Sequence, residues 1–254
     1  MTAAAFTAFG LWWGSTQILL WLVRLTTLRT QNVAALVLGL VSAAAAAWSA
    51  WIEGVVAVYV GFTAALGLWG AFEILFLSGA VLGIDSRPSG PGLPRRAWAA
   101  FRSILWHELA LLGSLAGLAV ATAGVPNRIA VFAFAALWIM RASAKLNLFL
   151  GVRNLCTEFL PATVAHLGRH FRRAPINPLY PFSVLAGTLA AAFLLRAGLH
   201  AATPEEAVTM MFLTALVTFG TLEHWLMLTP LSPLQLWSAQ PSRVTLARPV
   251  GAAG

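Results

Sequence analysis

The sequence predicts an all-α, polytopic bundle of about seven transmembrane helices, with the N-terminus outside and the C-terminus in the cytoplasm. Three observations lead there. Hydrophobic residues make up 59% of the 254 residues and charged residues only 9%, with a mean hydropathy of +0.81; an ordinary soluble domain is about 45–50% apolar and about 25% charged. The apolar residues gather into seven runs of membrane-crossing length, and the basic residues gather in alternate connections between them. Sixteen basic and eight acidic side chains cannot furnish the water-facing surface of a body this size. A soluble globular enzyme is thereby excluded, as is a disordered or collagen-like chain.

The spans run, in order, about Ala5–Val23, Val33–Trp51, Val55–Gly83, Ile104–Ala123, Ile129–Leu150, Leu179–Leu199 and Ala207–Leu228. Each reaches the roughly 20 residues a helix needs to cross ~30 Å of hydrocarbon. The alternation that membrane strands require is absent. Met1–Ala5 carries no basic residue, so the first run reads as a retained helix and not a cleavable signal. Gly, Ala and Ser recur in spans two, three and four, where they permit close approach of helices. The unbroken Ala43–Ala47 predicts a tightly packed second span.

Loop charge sets the orientation. Arg24 and Arg29 follow span one; Arg87, Arg95, Arg96 and Arg102 follow span three; Arg153, Arg169, Arg172 and Arg173 follow span five; Arg243 and Arg248 lie in the tail. Only Arg128 and Arg196 fall on the other side, beside Glu53, Glu205 and Glu206. The positive-inside bias puts the basic side in the cytoplasm. The expected organisation is one seven-helix domain over residues 1–229, cytoplasmic loops at 85–103 and 151–178, and a cytoplasmic tail at 230–254. Within the first loop, Arg95–Ser103 reads as an amphipathic approach to span four. Within the second, Pro161–Arg173 reads as a short interfacial helix that offers Val164 and Leu167, with Phe159 and Leu160, to the bilayer. The net charge of +8 is dispersed in short clusters, which argues for membrane lipid and against nucleic acid as the partner. A single cysteine, Cys156, allows no intrachain disulfide and no cysteine-only metal site.

Charged residues inside the spans carry the most information. Glu73 lies in span three, His107 and Glu108 in span four, Arg141, Lys145 and Asn147 in span five, and Glu223 and His224 in span seven. Given alternating helix directions, all fall in the cytoplasmic half of the bilayer. An unpaired charge there costs about 2.5–3.5 kcal/mol on insertion scales. Arg141 and Lys145 are four apart and share a face, so Glu73, Glu108 and Glu223 are their natural partners. Three readings fit this network. The first is a set of salt bridges and hydrogen bonds that fixes helix order. The second is a pigment or metal site, in which His107 or His224 gives an imidazole nitrogen to magnesium or another metal. The third is an acid–base or proton-relay site. Neither His-Glu pair has the spacing that aims two ligands one way, since adjacent residues point about 100° apart. No serine, cysteine or threonine has the neighbourhood of an activated nucleophile, so no catalytic residue is expected.

Eleven tryptophans stand out. Those near span ends read as interfacial anchors, whereas Trp12 and Trp13, beside Gly14, lie deeper and read as packing against lipid or a helix, or else against a flat cofactor. His166 and His170, four apart, are expected among solvated headgroups beside Arg169.

The stretch from Trp138 through Arg141, Lys145, Asn147, Gly151, Arg153, Asn154 and Glu158 to Pro161 resembles the photosynthetic complex assembly protein 2 family. So does His166–Pro181, together with Trp12-Trp13 and Glu223-His224-Trp225. The resemblance covers essentially the whole chain and is most specific over Arg141–Pro161. It implies a multi-pass protein of the bacterial inner membrane, including the photosynthetic intracytoplasmic membrane, encoded with the reaction-centre H subunit. The implied role is assembly of the reaction centre and light-harvesting complex, with those subunits and other assembly factors as partners and bacteriochlorophyll as the pigment handled. Two alternatives stand beside it: a pigment-binding subunit of the mature complex, and a transporter or membrane enzyme of pigment metabolism. Carried onto this chain, the resemblance makes Arg153, Asn154 and Glu158, with Arg169, Arg172 and Arg173, the expected contacts for a partner or an anionic group. The chain departs from the family in having Trp106 where a second histidine is common, which weakens a paired-histidine site.

Overall fold

The computed structural model describes residues 2–155, 157 and 160–229. Seven α-helices follow in chain order: α1 (Thr2–Leu25), α2 (Leu28–Ala50), α3 (Val55–Leu77), α4 (Leu93–Ala121), α5 (Ile129–Leu150), α6 (Tyr180–Leu199) and α7 (Pro204–Leu226). All seven are long and apolar enough to cross a membrane. Helices α1, α3, α5 and α7 finish at one end of the bundle, where α2, α4 and α6 begin. That end carries the arginines of the three connections named above.

Helix α3 is the hub. It packs against α1, α2, α4, α5 and α7, with its most extensive contact on α2; α6 packs mainly on α7. The core is built from Phe62, Phe134 and Phe212, all fully buried, with Phe62 and Phe212 stacked at 4.0 Å between centroids. Outside it, side chains such as Phe6, Val56, Val120 and Phe193 are exposed, as a lipid-facing surface requires. Lipid provides no hydrophobic drive between helices, so contact surfaces favour small residues. Gly67 of α3 lies directly on Ser42 of α2, and Gly187 of α6 on Thr221 of α7. The alanine run of α2 is packed on one face only: Ser42, Ala46 and Ser49 are buried, while Ala43, Ala44 and Ala47 face outward.

Three expectations about the arginine-rich end are corrected. Helix α3 stops at Leu77, where Ser78 and the positive-φ Gly79 turn the chain, and does not continue to Gly83. Arg95–Ser103 is no separate approach segment but the first part of α4, which begins at Leu93. Pro94 sits in its first turn, where a missing N–H leaves no bond unmade. The expected interfacial helix is a single 3-10 helix, Ala165–His170. Val164 and Leu167 are buried against Phe76, Leu77, Leu82, Ile104 and Leu160, so they close the bottom of the bundle and do not face lipid.

Glycine is indispensable at two points here. At Gly83 a Cβ would run into the backbone of α4 at Arg102, Ser103 and Leu105. That close approach lets Ile84 N–H donate to Arg102 O at 2.8 Å and His107 N–H donate to Leu82 O at 3.0 Å. Gly151, with φ of 129°, ends α5 and turns the chain so that a Cβ would meet Ala174 at 2.8 Å. Beyond it, the loop folds back in a one-residue bridge between Val152 and Arg173.

Candidate functional site

Helix α5 positions two polar groups on different faces. Trp138, Arg141 and Lys145 follow one another at helical spacing and point toward α3 and α4. The Lys145 ammonium meets Glu108 of α4 at 2.5 Å, and Trp138 Nε1 donates to the other oxygen of that carboxylate at 3.2 Å. The Arg141 guanidinium reaches Glu73 of α3 at 3.5 Å. Glu223 of α7 is within electrostatic range of both Arg141 and Glu73. His107 is fully buried beside these charges, its ring 4.5 Å from that of Phe76. Glu73, His107, Glu108, Arg141, Lys145 and Glu223 thus meet in one cluster between α3, α4, α5 and α7.

The two cations differ in their surroundings. The Lys145 side chain is 21% exposed and its contact is short, whereas Arg141 is 43% exposed and its contact is long. The Arg141 side chain is therefore the more open of the two. Glu73 Oε1 and both ring nitrogens of His107 are buried with no hydrogen-bond partner among the described residues.

Ser143 and Asn147 leave α5 on another face. Ser143 pairs with His224 Nε2 at 2.9 Å, and His224 Nδ1 lies 2.7 Å from Gly220 O. A carbonyl only accepts, so Nδ1 carries the proton; in the neutral ring Nε2 accepts from the Ser143 hydroxyl. Asn147, fully buried, donates to Ser143 O and Ser183 Oγ, each at 3.0 Å. Asn177 donates to Asn147 Oδ1 at 3.1 Å and Gly151 O at 2.9 Å, and accepts from Leu179 N–H and Tyr180 N–H at the start of α6. The Tyr180 hydroxyl donates to His224 O at 2.9 Å. Asn147 and His224 therefore belong to a neutral ladder and not to the charged cluster with which the sequence groups them.

This geometry bears on magnesium ligation. Both nitrogens of His224 are engaged, leaving no lone pair for a metal. His107 has free nitrogens but is sealed inside the bundle against Phe76, and the two cavities described lie at the ends of the molecule. Among the described residues, no cluster of three or more His, Cys, Asp or Glu is arranged to hold a metal ion.

At the arginine-rich end the expected contact residues separate. Arg153, Arg172 and Arg173 are exposed, and the Val152–Arg173 bridge brings their segments side by side. Asn154 fastens the loop to the end of α7, its N–H donating to Met227 O at 2.8 Å and its amide to Leu226 O at 3.4 Å. Arg169 is held by Asp85 through two contacts of 2.9 and 3.4 Å and also donates to His166 O. His170, expected in solvent, is instead buried, its Nε2 3.2 Å from Ser103 Oγ. A 3-10 helix has about three residues per turn, so positions four apart do not share a face. Burial and the adjacent Arg169 guanidinium hold the His170 pKa below its ordinary value. Glu158, Cys156 and Phe159 lie outside the described residues, as do Trp237, Arg243 and Arg248 of the tail.

Sequence reasoning missed Ser143, Asn177, Tyr180 and Ser183 as members of the ladder, and Trp138 as a partner of Glu108. Trp12 stacks on Phe219 of α7 at 5.2 Å, as its depth suggested.

Residues 1–245 match the family described as Protein of unknown function (DUF3623). The chain is 36% identical, over a 259-residue alignment, to the uncharacterized 30.4 kDa protein in puhA 5'region of Rhodobacter capsulatus; the alignment covers 97% of this chain and 94% of that protein. No solved structure matches. The chain belongs to the DUF3623 family, and the assignment to the photosynthetic complex assembly protein 2 family, made on Arg141–Pro161, stands with it.

Proposed function

We propose that the protein is an integral inner-membrane assembly factor for the photosynthetic reaction centre and its light-harvesting complex, acting by binding and not by catalysis. One observation carries this reading: near-full-length similarity to a protein named for the region 5' of puhA, the gene of the reaction-centre H subunit. The arginine-rich end is placed in the cytoplasm and the N-terminus outside by the positive-inside bias.

The cluster supplies a physical means of binding. Its acids outnumber its two cations, yet the more open of the two cations is Arg141. A half-open arginine side chain in hydrocarbon gains from any partner helix that brings an acceptor to it, since lipid tails provide none. Docking of a photosynthetic subunit's transmembrane helix against α5 and α7 would complete that coordination. Arg153, Arg172 and Arg173 stand below the same helices and would engage acidic residues on the partner's cytoplasmic segment. In this reading bacteriochlorophyll is handled on the apolar outer face or by the partner's own ligands, which the engaged nitrogens of His224 and the burial of His107 favour.

Deletion should lower the amount of mature reaction centre and core antenna while leaving transcription of their genes unchanged. A photo-crosslinker in place of Leu222, which is exposed next to Glu223, should capture a photosynthetic subunit in native membranes. The capture should fall when Arg141 is replaced by Gln. Normal complex levels in the deletion strain would refute the proposal.

A further inference from the structure

At the arginine-rich end, the loop from Ile84 to Ser89 and the opening turns of α4 enclose a cavity of about 480 Å³ that the charged cluster does not use. Arg95, Trp98 and Arg102 of α4 line it, at positions i, i+3 and i+7, so a single stripe of the helix faces the loop. Arg87 closes it from the loop side. Asp85 is the one carboxylate in its wall, and Arg169 already holds both oxygens. Among the described residues, none of Arg87, Arg95 and Arg102 forms an ion pair, so three arginines line the cavity without a paired carboxylate.

The walls are fixed. Ile84 N–H donates to Arg102 O at 2.8 Å and Ser86 N–H donates to Ser103 Oγ at 3.3 Å, so two successive rungs tie the loop to α4. The first turn of α4, which borders the cavity through Pro94 and Arg95, has neither an acidic residue nor a side-chain cap. Its unmet N–H groups and positive dipole end add to the field of the arginines.

Depth identifies the kind of anion. With 29 residues, α4 is the longest of the seven spans. At 1.5 Å per residue it is about 43 Å long, against ~30 Å of hydrocarbon. Its far end is level with its neighbours, because the turn that follows α4 is pinned to α2 by Asn127, whose N–H donates to Ala50 O. The surplus therefore lies at the start, over Leu93–Phe101, at the level of the headgroups. Trp98 and Phe101 are exposed there, as aromatic side chains at a membrane interface are. A membrane phosphate sits at that same depth.

We propose that this cavity binds the phosphodiester headgroup of an anionic membrane phospholipid. Arg95 and Arg102 grip the phosphate from the helix, Arg87 covers it from the loop, and Trp98 lies against the glycerol and the first acyl carbons. The site is independent of the proposed assembly role and of the Arg141 cluster.

The test uses the full chain in nanodiscs of phosphatidylcholine with increasing phosphatidylglycerol, followed by native mass spectrometry of retained lipid. Phosphatidylglycerol should be retained in preference to phosphatidylcholine. Each arginine near a charged membrane surface contributes about fivefold, so Arg95→Gln/Arg102→Gln should lower phosphatidylglycerol retention roughly thirtyfold. Arg24→Gln/Arg29→Gln, at the same end but away from the cavity, should leave it unchanged. Should the α4 double variant fail to fold, Arg87→Gln on the exposed loop should still lower retention about fivefold. Equal retention of the two lipids, or wild-type retention in these variants, would overturn the proposal. Displacement of phosphatidylglycerol by an equal concentration of inorganic phosphate would also overturn it, in favour of a site for free anions.

Discussion

The two faces of α5 solve the same problem by opposite chemistry. Toward α3 and α4, Arg141 and Lys145 neutralise carboxylates from other helices by direct charge pairing. Toward α7 and α6, Ser143 and Asn147 satisfy imidazole, amide and hydroxyl groups by hydrogen bonds that carry no net charge. The charged face leaves loose ends, namely Glu73 Oε1, the two nitrogens of His107 and a half-open Arg141 side chain. The ladder ends on backbone groups at several points, at Gly220, Gly151 and the first N–H groups of α6. The difference teaches that the ladder is built to hold the chain, whereas the charged face has capacity left for another group.

The sharpest break in that comparison should come at Lys145. Replacing it with Met leaves the Glu108 carboxylate buried with only Trp138 to bond it. Removing one partner of a buried pair destabilises by about 3–5 kcal/mol. The double change Lys145→Met/Glu108→Gln should recover part of that loss, and a double-mutant cycle in unfolding experiments measures the coupling. A cycle with no coupling would mean that the two charges do not depend on each other.

On the neutral face the largest single effect should come from Asn177→Ala. That side chain caps α6 and holds the end of α5 together, and loss of a helix cap costs about 1–2 kcal/mol. Ser143→Ala removes one intramembrane hydrogen bond to His224, for which cycles in a membrane protein average about 0.6 kcal/mol. An effect as large as that of Lys145→Met would erase the contrast between the faces. Exchange of backbone hydrogens at the start of α6 would localise the Asn177 effect.

How much of this was readable in advance follows from the same contrast. Charges inside apolar runs are conspicuous because lipid gives them no other partner, so Arg141, Lys145, Glu73 and Glu108 could be grouped from the sequence. Ser143, Ser183 and Tyr180 were not conspicuous. A hydroxyl in a membrane helix can bond its own backbone, as Thr214 does with Met210 O at 2.7 Å, and so leaves no anomaly to notice. Asn177 lies 30 positions from Asn147, a pairing that no local period encodes. Trp138 lies in mid-span with no local mark of a polar partner, and only the packing of α4 brings Glu108 against its N–H. The seven spans were legible because composition alone fixes them, but their ends were not. The start of α4 is polar enough to read as loop, and only its packing against Gly83 and Ile84 shows it to be helix. Val164 and Leu167 were assigned to lipid because nothing local reveals that the end of α3 leaves Phe76 uncovered.

The smallest expected effect tests the seam between the bundle and its loops. His170 is buried against Ser103, with Arg169, Arg96, Asp85 and His166 as its charged or titratable neighbours. Its folded pKa is depressed, first by burial and then by Arg169, with Asp85 opposing. The unfolded chain therefore takes up the proton more readily than the folded one. Stability from the neutral ring is fully present above the ordinary histidine value of about 6.5 and is lost as pH falls through the depressed folded value. Thermal unfolding followed from pH 7.5 down to pH 5 should show this decline in the wild type, and His170→Gln should make it shallower without altering the effect of Lys145→Met. The two positions lie in different parts of the molecule, His170 against Ser103 in the loop seam and Lys145 against Glu108 in the charged cluster. A His170→Gln variant that changed the Lys145–Glu108 coupling would show that the seam and the charged face act as one unit.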